Sequence, residues 1–276
     1  MMPVLLRLGP ITVYSYGLMM ALGFIAADLV CSSQFKHRGL PAEQASMLVL
    51  WTAVAGIAGA RIYDILDNWS RYAAHPSSMI FSGAGFVWYG GLIGGTLASV
   101  AFARFRHIPW RIVADCAAPA LAIGHAIGRI GCQLSGDGDW GTVSKLPWAM
   151  AYPNAIVGWN GQTVLRVNSH NQLVSAYFPG VRVHPAPVYE TILYTIVFFV
   201  LLRLGRKSRP IGQLFYIYLI LAGACRFLVE FIRVNPRVLL GLSEAQLIAL
   251  MMIAIGLVAY GWSSTTKQPL TALEAA

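Results

Sequence analysis

The chain has 276 residues, of which 57% are hydrophobic and only 11% are charged, and its mean hydropathy is +0.61. These values exclude an ordinary soluble globular protein and indicate a polytopic membrane protein. The net charge of +9 fits affinity for anionic lipid headgroups, and we expect no nucleic-acid partner because no basic stretch is interleaved with stacking aromatic residues.

Seven stretches are apolar and long enough to be predicted as membrane-spanning helices. They are residues 16–33, 46–66, 86–103, 112–134, 188–203, 211–231 and 244–262. The first stretch is not preceded by a basic region or followed by a typical cleavage site, so we expect it to be retained as a helix that directs insertion.

Lysine and arginine concentrate in alternate short loops, after the first, third and fifth predicted helices. These residues are Lys36, Arg38, Arg104, Arg106, Arg111, Arg203, Arg206, Lys207 and Arg209. Because basic loops stay in the cytoplasm, the N-terminus is expected outside and the C-terminal tail, residues 263–276, inside.

Two external segments are predicted from their composition. Residues 67–85 are amphipathic, with aromatic and aliphatic side chains among polar ones, which is typical of an arm lying in the membrane interface. Residues 135–187 carry turn signals and short β-prone runs such as 163–167, which indicates a small external head domain. The predicted fold class is therefore all-α, with helices one to four in 1–134 and helices five to seven in 188–262.

The fourth predicted helix carries an arginine at membrane depth, where a charged side chain costs about 2.5–3.5 kcal/mol and normally has a partner. His125, Arg129 and Cys132 are spaced i, i+4 and i+7, so they share one helix face. We infer a lipid phosphate as the partner of Arg129. The alternative is that Arg129 binds neighbouring carbonyl groups and that the flanking glycines serve close helix packing.

The sixth predicted helix ends with Arg226, Glu230 and Arg233, which again share one face. These charges could form a self-neutralising pair that only stabilises the bundle. In the predicted topology, however, Arg226 and Arg129 both belong to the outer half of the bilayer. Their two guanidinium groups could therefore converge on one phosphate with bidentate geometry.

Weaker candidates lie at the outer ends of other helices. Tyr16, Tyr89 and the Tyr189-Glu190 pair open the first, third and fifth helices, where tyrosines also serve as interface anchors. Arg61 is compatible with a phosphate contact or with a snorkelling side chain. The sequence contains no motif for zinc, nucleotide or redox chemistry, and its four cysteines suggest no disulfide framework.

Several motifs follow one another in the order seen in one family of membrane enzymes. They are Tyr16-Gly17-Leu18-Met19, Gly59-Ala60-Arg61, Tyr89-Gly90-Gly91-Leu92-Ile93-Gly94, Gly128-Arg129-Ile130-Gly131, Trp140-Gly141, His184-Pro185, Tyr189-Glu190 and Arg226 through Arg233. On these residues the chain resembles the prolipoprotein diacylglyceryl transferases from end to end. The resemblance implies seven helices and a periplasmic head in a bacterial inner membrane.

The resemblance also implies an activity: transfer of the diacylglyceryl group of phosphatidylglycerol to the lipobox cysteine of a prolipoprotein, with release of glycerol phosphate. The expected partners are phosphatidylglycerol, the prolipoprotein signal peptide and membrane lipid; we expect no cofactor, no metal and a monomer. The resemblance and the residues themselves together give the expected catalytic residues, which are Arg129, Arg226, Tyr89, His125 and Glu230. The expected substrate-binding residues are Tyr16, Arg61, Gly90, Gly91, Cys132, Asp137, Gly141, Glu190 and Arg233.

The chain departs from the family pattern at two of these positions. Tyr89 stands where the family commonly has histidine, and Cys132 stands where it has asparagine. Tyrosine is a poor base near pH 7 because its ordinary pKa is about 10, so His125 is the second candidate for deprotonating the thiol. Two other interpretations stay open: a paralogous membrane lipid transferase with a different acceptor, and a non-catalytic phospholipid-binding membrane protein.

Overall fold

The structure, a computed structural model, describes residues 1–9, 11–74, 87–159, 163–168, 170–177 and 180–265. The helices in these ranges are α1 (Ser15–His37), α2 (Ala42–Asp67), α3 (Trp69–Ala74), α4 (Trp88–Phe105), α5 (Trp110–Ser135), α6 (Ala186–Gly205), α7 (Gln213–Glu230) and α8 (Glu244–Thr265). Each of the seven predicted spans overlaps one of the long helices. The short α3 lies in the predicted interfacial arm.

Five of the described helices are long and apolar enough to cross a membrane: α1, α2, α6, α7 and α8. The protein is thus a mostly helical membrane protein. Helices α4 and α5 are not among these five. Helix α5 includes Arg111, Asp115 and Arg129, and these charged side chains lower its hydropathy.

Within the described ranges, six short strands pair as three antiparallel hairpins. They are β1 (Val4–Leu8) with β2 (Ile11–Tyr14), β3 (Thr163–Val167) with β4 (Leu173–Tyr177), and β5 (Arg237–Leu239) with β6 (Leu242–Ser243). The predicted β-prone run at 163–167 is strand β3, whereas the N-terminal hairpin was not predicted. The Met2 N–H donates to the Leu134 carbonyl oxygen at 2.9 Å, which ties this hairpin to the end of α5.

The chain forms two compact units, which we call the first unit (Met1–Ala27 with Ala117–Ala276) and the second unit (Asp28–Cys116). In the second unit, α2 packs along α4. A Cβ atom on Gly90 would overlap the Gly59 carbonyl oxygen, and one on Gly59 would overlap the Gly90 carbonyl oxygen. Glycine at both positions therefore lets the two backbones touch.

In the first unit, α7 packs against both α6 and α8. The segment between α5 and α6 has its own small core, which contains Tyr152, Ala155, Val181 and Val183. It is joined to the end of α7 by backbone pairing, because the Thr142 N–H donates to the Ile232 carbonyl oxygen at 2.7 Å. This pairing holds the loop that follows α5 beside the charged end of α7.

Parts of three predicted segments lie outside the described residues. In the predicted arm, Trp69 is 64% exposed, whereas Tyr72 is buried and donates a hydrogen bond to Asp64 at 2.5 Å. The structure does not describe residues 75–85 of that arm, residues 160–162, 169 and 178–179 of the predicted head domain, or residues 266–276 of the predicted tail.

Candidate active site

Three side chains of α5 share the predicted face. The Arg129 Nε–H lies 3.4 Å from His125 Nε2, and Arg129 Nη1 lies 3.7 Å from the Cys132 Sγ atom. These contacts follow directly from the i, i+4 and i+7 spacing along one helix.

Glu190, near the start of α6, is the centre around which the arginines gather. Its side chain is only 1% exposed. Arg129 Nε contacts Glu190 Oε2, while Arg226 Nη1 and Arg233 Nη1 lie 3.2 and 3.4 Å from Oε1. His125 Nε2 is 3.3 Å from Oε2. Three guanidinium groups from α5 and the end of α7 therefore converge on one buried carboxylate.

Asp139 supplies a second carboxylate from the loop after α5. Arg129 Nη1 donates to its Oδ2 atom, and Arg233 Nη2 lies 2.5 Å from its Oδ1 atom. Burial alone would raise the pKa of Asp139, but Arg233 and Arg129 outweigh it and hold that pKa at about 2. Asp139 is therefore ionised at neutral pH.

Sequence reasoning had singled out Asp137 and missed Asp139. In the structure, Asp137 Oδ1 accepts a hydrogen bond from the Asp139 N–H at 3.2 Å, which stabilises the turn that presents Asp139. The signal that could have found Asp139 is its position immediately before the Trp140-Gly141 motif. A substrate-binding role for Asp137 stays a prediction.

Glu230 is the third carboxylate of the cluster and is fully buried. Its Oε2 atom lies 2.8 Å from Arg226 Nη2, so the predicted alternative, a pair between these two residues, is present. Arg226 also binds Glu190, however, and Arg233 binds Glu190 and Asp139. The pair is thus one part of a network in which three arginines face three carboxylates.

Some guanidinium donors of the network have no hydrogen-bond acceptor among the residues that the structure describes. Among the described residues, none accepts a hydrogen bond from Arg129 Nη2 or Arg226 Nε. The two side chains are 17% and 24% exposed. These N–H groups can therefore contact oxygen atoms of an incoming anion while the carboxylates hold the guanidinium planes in place.

Two further predicted residues of the first unit lie next to this network. Tyr16 packs on α5, because a Cβ atom on Gly131 would lie 3.4 Å from its Cδ2 atom. Gly141 pairs with Arg233 across a short β-bridge, and its N–H donates to the His184 carbonyl oxygen at 2.8 Å. A Cβ atom on Gly141 would lie only 2.6 Å from the Ile232 carbonyl oxygen, so this contact requires glycine.

The remaining predicted residues belong to the second unit. Arg61 lies 3.9 Å from Asp64, and its guanidinium carbon is 5.7 Å from the centre of the Tyr72 ring. The Tyr89 ring lies 6.3 Å from the Tyr63 ring. Gly90 and Gly91 form part of the α2–α4 contact. Substrate contacts by Arg61, Gly90 and Gly91, and catalysis by Tyr89, stay predictions.

In the part of the chain that the structure describes, one group of side chains has the spacing of a metal site. Ligand atoms of Cys132, Asp137 and Asp139 lie within 4.8 Å of one another. The Arg129 guanidinium already contacts Asp139 and Cys132. Because it would repel a second cation there, we assign no metal to this group.

Comparison with known proteins identifies the family. The model of the family described as prolipoprotein diacylglyceryl transferase matches residues 3–262. Proteins named phosphatidylglycerol–prolipoprotein diacylglyceryl transferase are similar over almost their full length. The Nostoc sp. protein is 32% identical over 97% of this chain and 91% of its own length. The Geobacter sulfurreducens protein is 34% identical over 92% of both chains, and the Paraburkholderia xenovorans protein is 34% identical over 99% of this chain and 97% of its own. The chain belongs to the prolipoprotein diacylglyceryl transferase family.

Proposed function

We propose that this protein transfers the diacylglyceryl group of phosphatidylglycerol to the thiol of the lipobox cysteine in a prolipoprotein and releases glycerol phosphate. The observation that carries this proposal is the convergence of Arg129, Arg226 and Arg233 on one buried carboxylate, in a chain of this family. Three carboxylates balance the three arginines, but Arg129 Nη2 and Arg226 Nε have no hydrogen-bond acceptor among the described residues, so they are free to donate to the phosphate of the donor lipid.

The charge change in the reaction explains why arginines are needed. A thiolate sulfur attacks the carbon of the diacylglyceryl group that is bonded to the phosphate oxygen. A carbon–sulfur bond forms, and the carbon–oxygen bond breaks with its electron pair moving to the phosphate oxygen. The phosphodiester carries one negative charge, and the departing phosphate monoester gains another. In this proposal, Arg129 Nη2 and Arg226 Nε donate hydrogen bonds to the phosphate oxygens. These bonds are stronger in the transition state than in the bound lipid, because the negative charge on the oxygens increases.

The carboxylates have a different role in this proposal. Glu190 and Asp139 each contact two or more arginines, so they reduce the repulsion between guanidinium groups and keep their planes in fixed positions. Preorganised donors need little rearrangement when charge develops, which is the main source of electrostatic catalysis. Glu230 fixes Arg226 in the same way.

The thiol must lose its proton before it attacks, because the thiolate is the nucleophile. His125 is our leading base, since its Nε2 lies beside Glu190 and its ring stacks on Tyr194 with centres 3.7 Å apart. Nε2 donates to Glu190 when it carries a proton and accepts from the Arg129 Nε–H when it does not. Both protonation states of this nitrogen therefore have a partner within the cluster. Tyr89 is the other candidate for the base.

The proposal includes a location. We infer a multi-pass protein of the bacterial inner membrane with seven spans, an outside N-terminus, a periplasmic head at 135–187 and a cytoplasmic C-terminus. The five apolar helices and the basic alternate loops support this topology. The proposed partners are phosphatidylglycerol, the prolipoprotein lipobox and membrane lipid, and the proposed state is a monomer.

A single assay tests the proposed function. Purified protein is incubated with phosphatidylglycerol and a lipobox peptide, and glycerol phosphate release is measured together with the mass of the peptide. We expect a diacylglyceryl mass gain that matches the release and is lost in Arg129→Ala. Release without peptide modification would indicate a different acceptor, and lipid binding with neither product would indicate a non-catalytic protein.

A further inference from the structure

The start of α8 carries a reciprocal cap, in which the side-chain oxygen of each of two residues accepts a hydrogen bond from the backbone N–H of the other. Ser243 Oγ accepts a hydrogen bond from the Gln246 N–H at 3.3 Å, and Gln246 Oε1 accepts one from the Ser243 N–H at 3.1 Å. This is the capping-box arrangement of a Ser-x-x-Gln sequence. Arg237 Nη1 also donates to Gln246 Oε1 at 2.8 Å, which fixes the glutamine half of the box to strand β5.

The same serine hydroxyl has a second contact that a helix cap does not need. Ser243 Oγ donates to Glu230 Oε1 at 2.8 Å, and both side chains lie in the interior, with exposures of 1% and 0%. A hydroxyl has one proton and two lone pairs. It can therefore donate to Glu230 and accept from the Gln246 N–H at the same time.

These contacts divide the two oxygen atoms of Glu230 between different partners. Ser243 and the Asn235 side-chain amide, at 2.5 Å, both donate to Oε1. Oε2 is left to face the arginines: Arg226 Nη2 lies 2.8 Å from it and Arg233 Nε lies 3.9 Å from it. Neutral donors on one oxygen thus fix the rotation of the carboxylate, and that rotation determines where Arg226 is held.

We propose that Ser243 is a positioning residue of the active site, which acts through Glu230 to orient the Arg226 guanidinium toward the lipid phosphate. This inference rests on the proposed function of Arg226. The cap at the start of α8 then links the folding of that helix to the geometry of an arginine on α7. Ser243 itself touches no substrate in this account.

Three variants separate the positioning role from the capping role. Ser243→Gly removes the donor to Glu230 but keeps a residue that is tolerated at helix N-caps. Ser243→Thr keeps both the donor and the cap. Gln246→Ala weakens the cap but leaves the serine hydroxyl on Glu230, so it serves as the control for helix stability. Thermal unfolding of all three variants is measured in the same detergent.

We expect Ser243→Gly to lower kcat about tenfold, which corresponds to about 1.4 kcal/mol, with little change in KM for the lipobox peptide. Ser243→Thr should restore most of the rate, and Gln246→Ala should lower the thermal midpoint without a comparable loss of kcat. A normal kcat in Ser243→Gly, with transfer by the unchanged protein intact, would overturn the inference and leave the proposed function standing.

A binding experiment tests the inference without turnover. Affinity for phosphatidylglycerol in nanodiscs of phosphatidylcholine is measured with no peptide present, for Ser243→Gly, Arg226→Ala and the double variant. If Ser243 acts through Arg226, its substitution weakens binding about tenfold alone and has no further effect once Arg226 is alanine. The same loss in both backgrounds would contradict the positioning role, even if the protein proved to transfer nothing.

Discussion

At the residue scale, the central feature is one carboxylate shared by three arginines. The sequence predicted which charges lie on each helix face, because helical spacing determines such neighbours. It did not predict that Glu190 gathers them. Glu190 is 36 residues from Arg226 and 43 from Arg233 along the chain, and no periodic pattern within one helix reveals which helix lies beside another.

We expect Glu190→Gln to abolish most of the transfer activity and to destabilise the protein. The substitution keeps the shape of the side chain but leaves three partly buried guanidinium groups without the buried carboxylate that they share. Removing one partner of a buried ionic cluster typically costs about 3 kcal/mol or more. Transfer rate and thermal unfolding in detergent measure both effects. Glu43→Gln, at an exposed position on α2, is the matched control and should change neither.

The identity of the base is a second prediction at this scale. We expect His125→Ala to lower kcat about 10²-fold or more, the usual contribution of a general base, while Tyr89→Phe retains most of the rate. A second test is to raise the pH, which should partly rescue His125→Ala because more of the peptide thiol ionises without a base. A normal rate in His125→Ala, combined with inactive Tyr89→Phe, would assign the base to Tyr89.

Asp139 makes the pH dependence of stability predictable. Its pKa is lowered from 3.8 to about 2 in the folded protein, so its ion pairs stabilise the fold fully above pH 4 and are lost as the pH falls through 2. We therefore expect Asp139→Asn to be less stable than the unchanged protein by about 2 kcal/mol at pH 7. The difference should shrink steadily between pH 4 and pH 2; a difference of equal size at pH 2 would contradict this origin.

At the element scale, the site depends on a few backbone contacts that exclude any side chain. Gly141 lies between the end of α7 and the segment before α6, where a Cβ atom would meet the Ile232 carbonyl oxygen at 2.6 Å and the His184 Cβ at 2.9 Å. Because Asp139 is two residues from Gly141, a shift of this segment would move the Asp139 carboxylate away from Arg129 and Arg233.

We expect Gly141→Ala to cost about 1–3 kcal/mol in stability, the usual range for overpacking, and to lower the transfer rate with it. Thermal unfolding and the peptide assay provide the two measurements. Gly261→Ala on α8 is the control, since a Cβ atom there meets no described atom within 4 Å. Equal behaviour of the two variants would show that the close contact at Gly141 is not required.

The elements themselves were predictable to different degrees. Long apolar runs predicted the positions of the seven long helices among the described residues, and five of these helices are long and apolar enough to cross a membrane. The N-terminal hairpin was missed, although the run Ile11-Thr12-Val13-Tyr14 after Gly9-Pro10 is typical of a strand that follows a turn. Short two-stranded hairpins need contacts with the rest of the protein to be stable. Here the Met2 N–H, just before the hairpin, donates to the Leu134 carbonyl oxygen, and local sequence does not reveal such a contact.

At the scale of the whole molecule, seven membrane spans and five differ in the side of the membrane on which two segments lie. If α4 and α5 both cross the membrane, the short loop after α4 is cytoplasmic while the segment after α5 is periplasmic. If neither crosses, the two lie on the same side. The four natural cysteines are buried free thiols, so an introduced exposed cysteine can be labelled above a low background.

We therefore expect a membrane-impermeant maleimide added to spheroplasts to label Lys145→Cys and not His107→Cys. Both positions are exposed in the structure, so a difference reports the side of the membrane. Labelling of His107→Cys after the membrane is permeabilised is the control for reactivity. Labelling of both positions in intact spheroplasts would contradict the seven-span topology.

In the proposed mechanism, the arginines that gather around Glu190 bind the phosphate of the donor lipid. An experimental structure with phosphatidylglycerol bound tests it most directly, through the distances from the phosphate oxygens to Arg129 Nη2 and Arg226 Nε. We predict hydrogen-bond distances, about 2.7–3.2 Å, to both groups, with Glu190 still in contact with the three arginines. A phosphate held elsewhere in the protein, away from both arginines, would contradict the account.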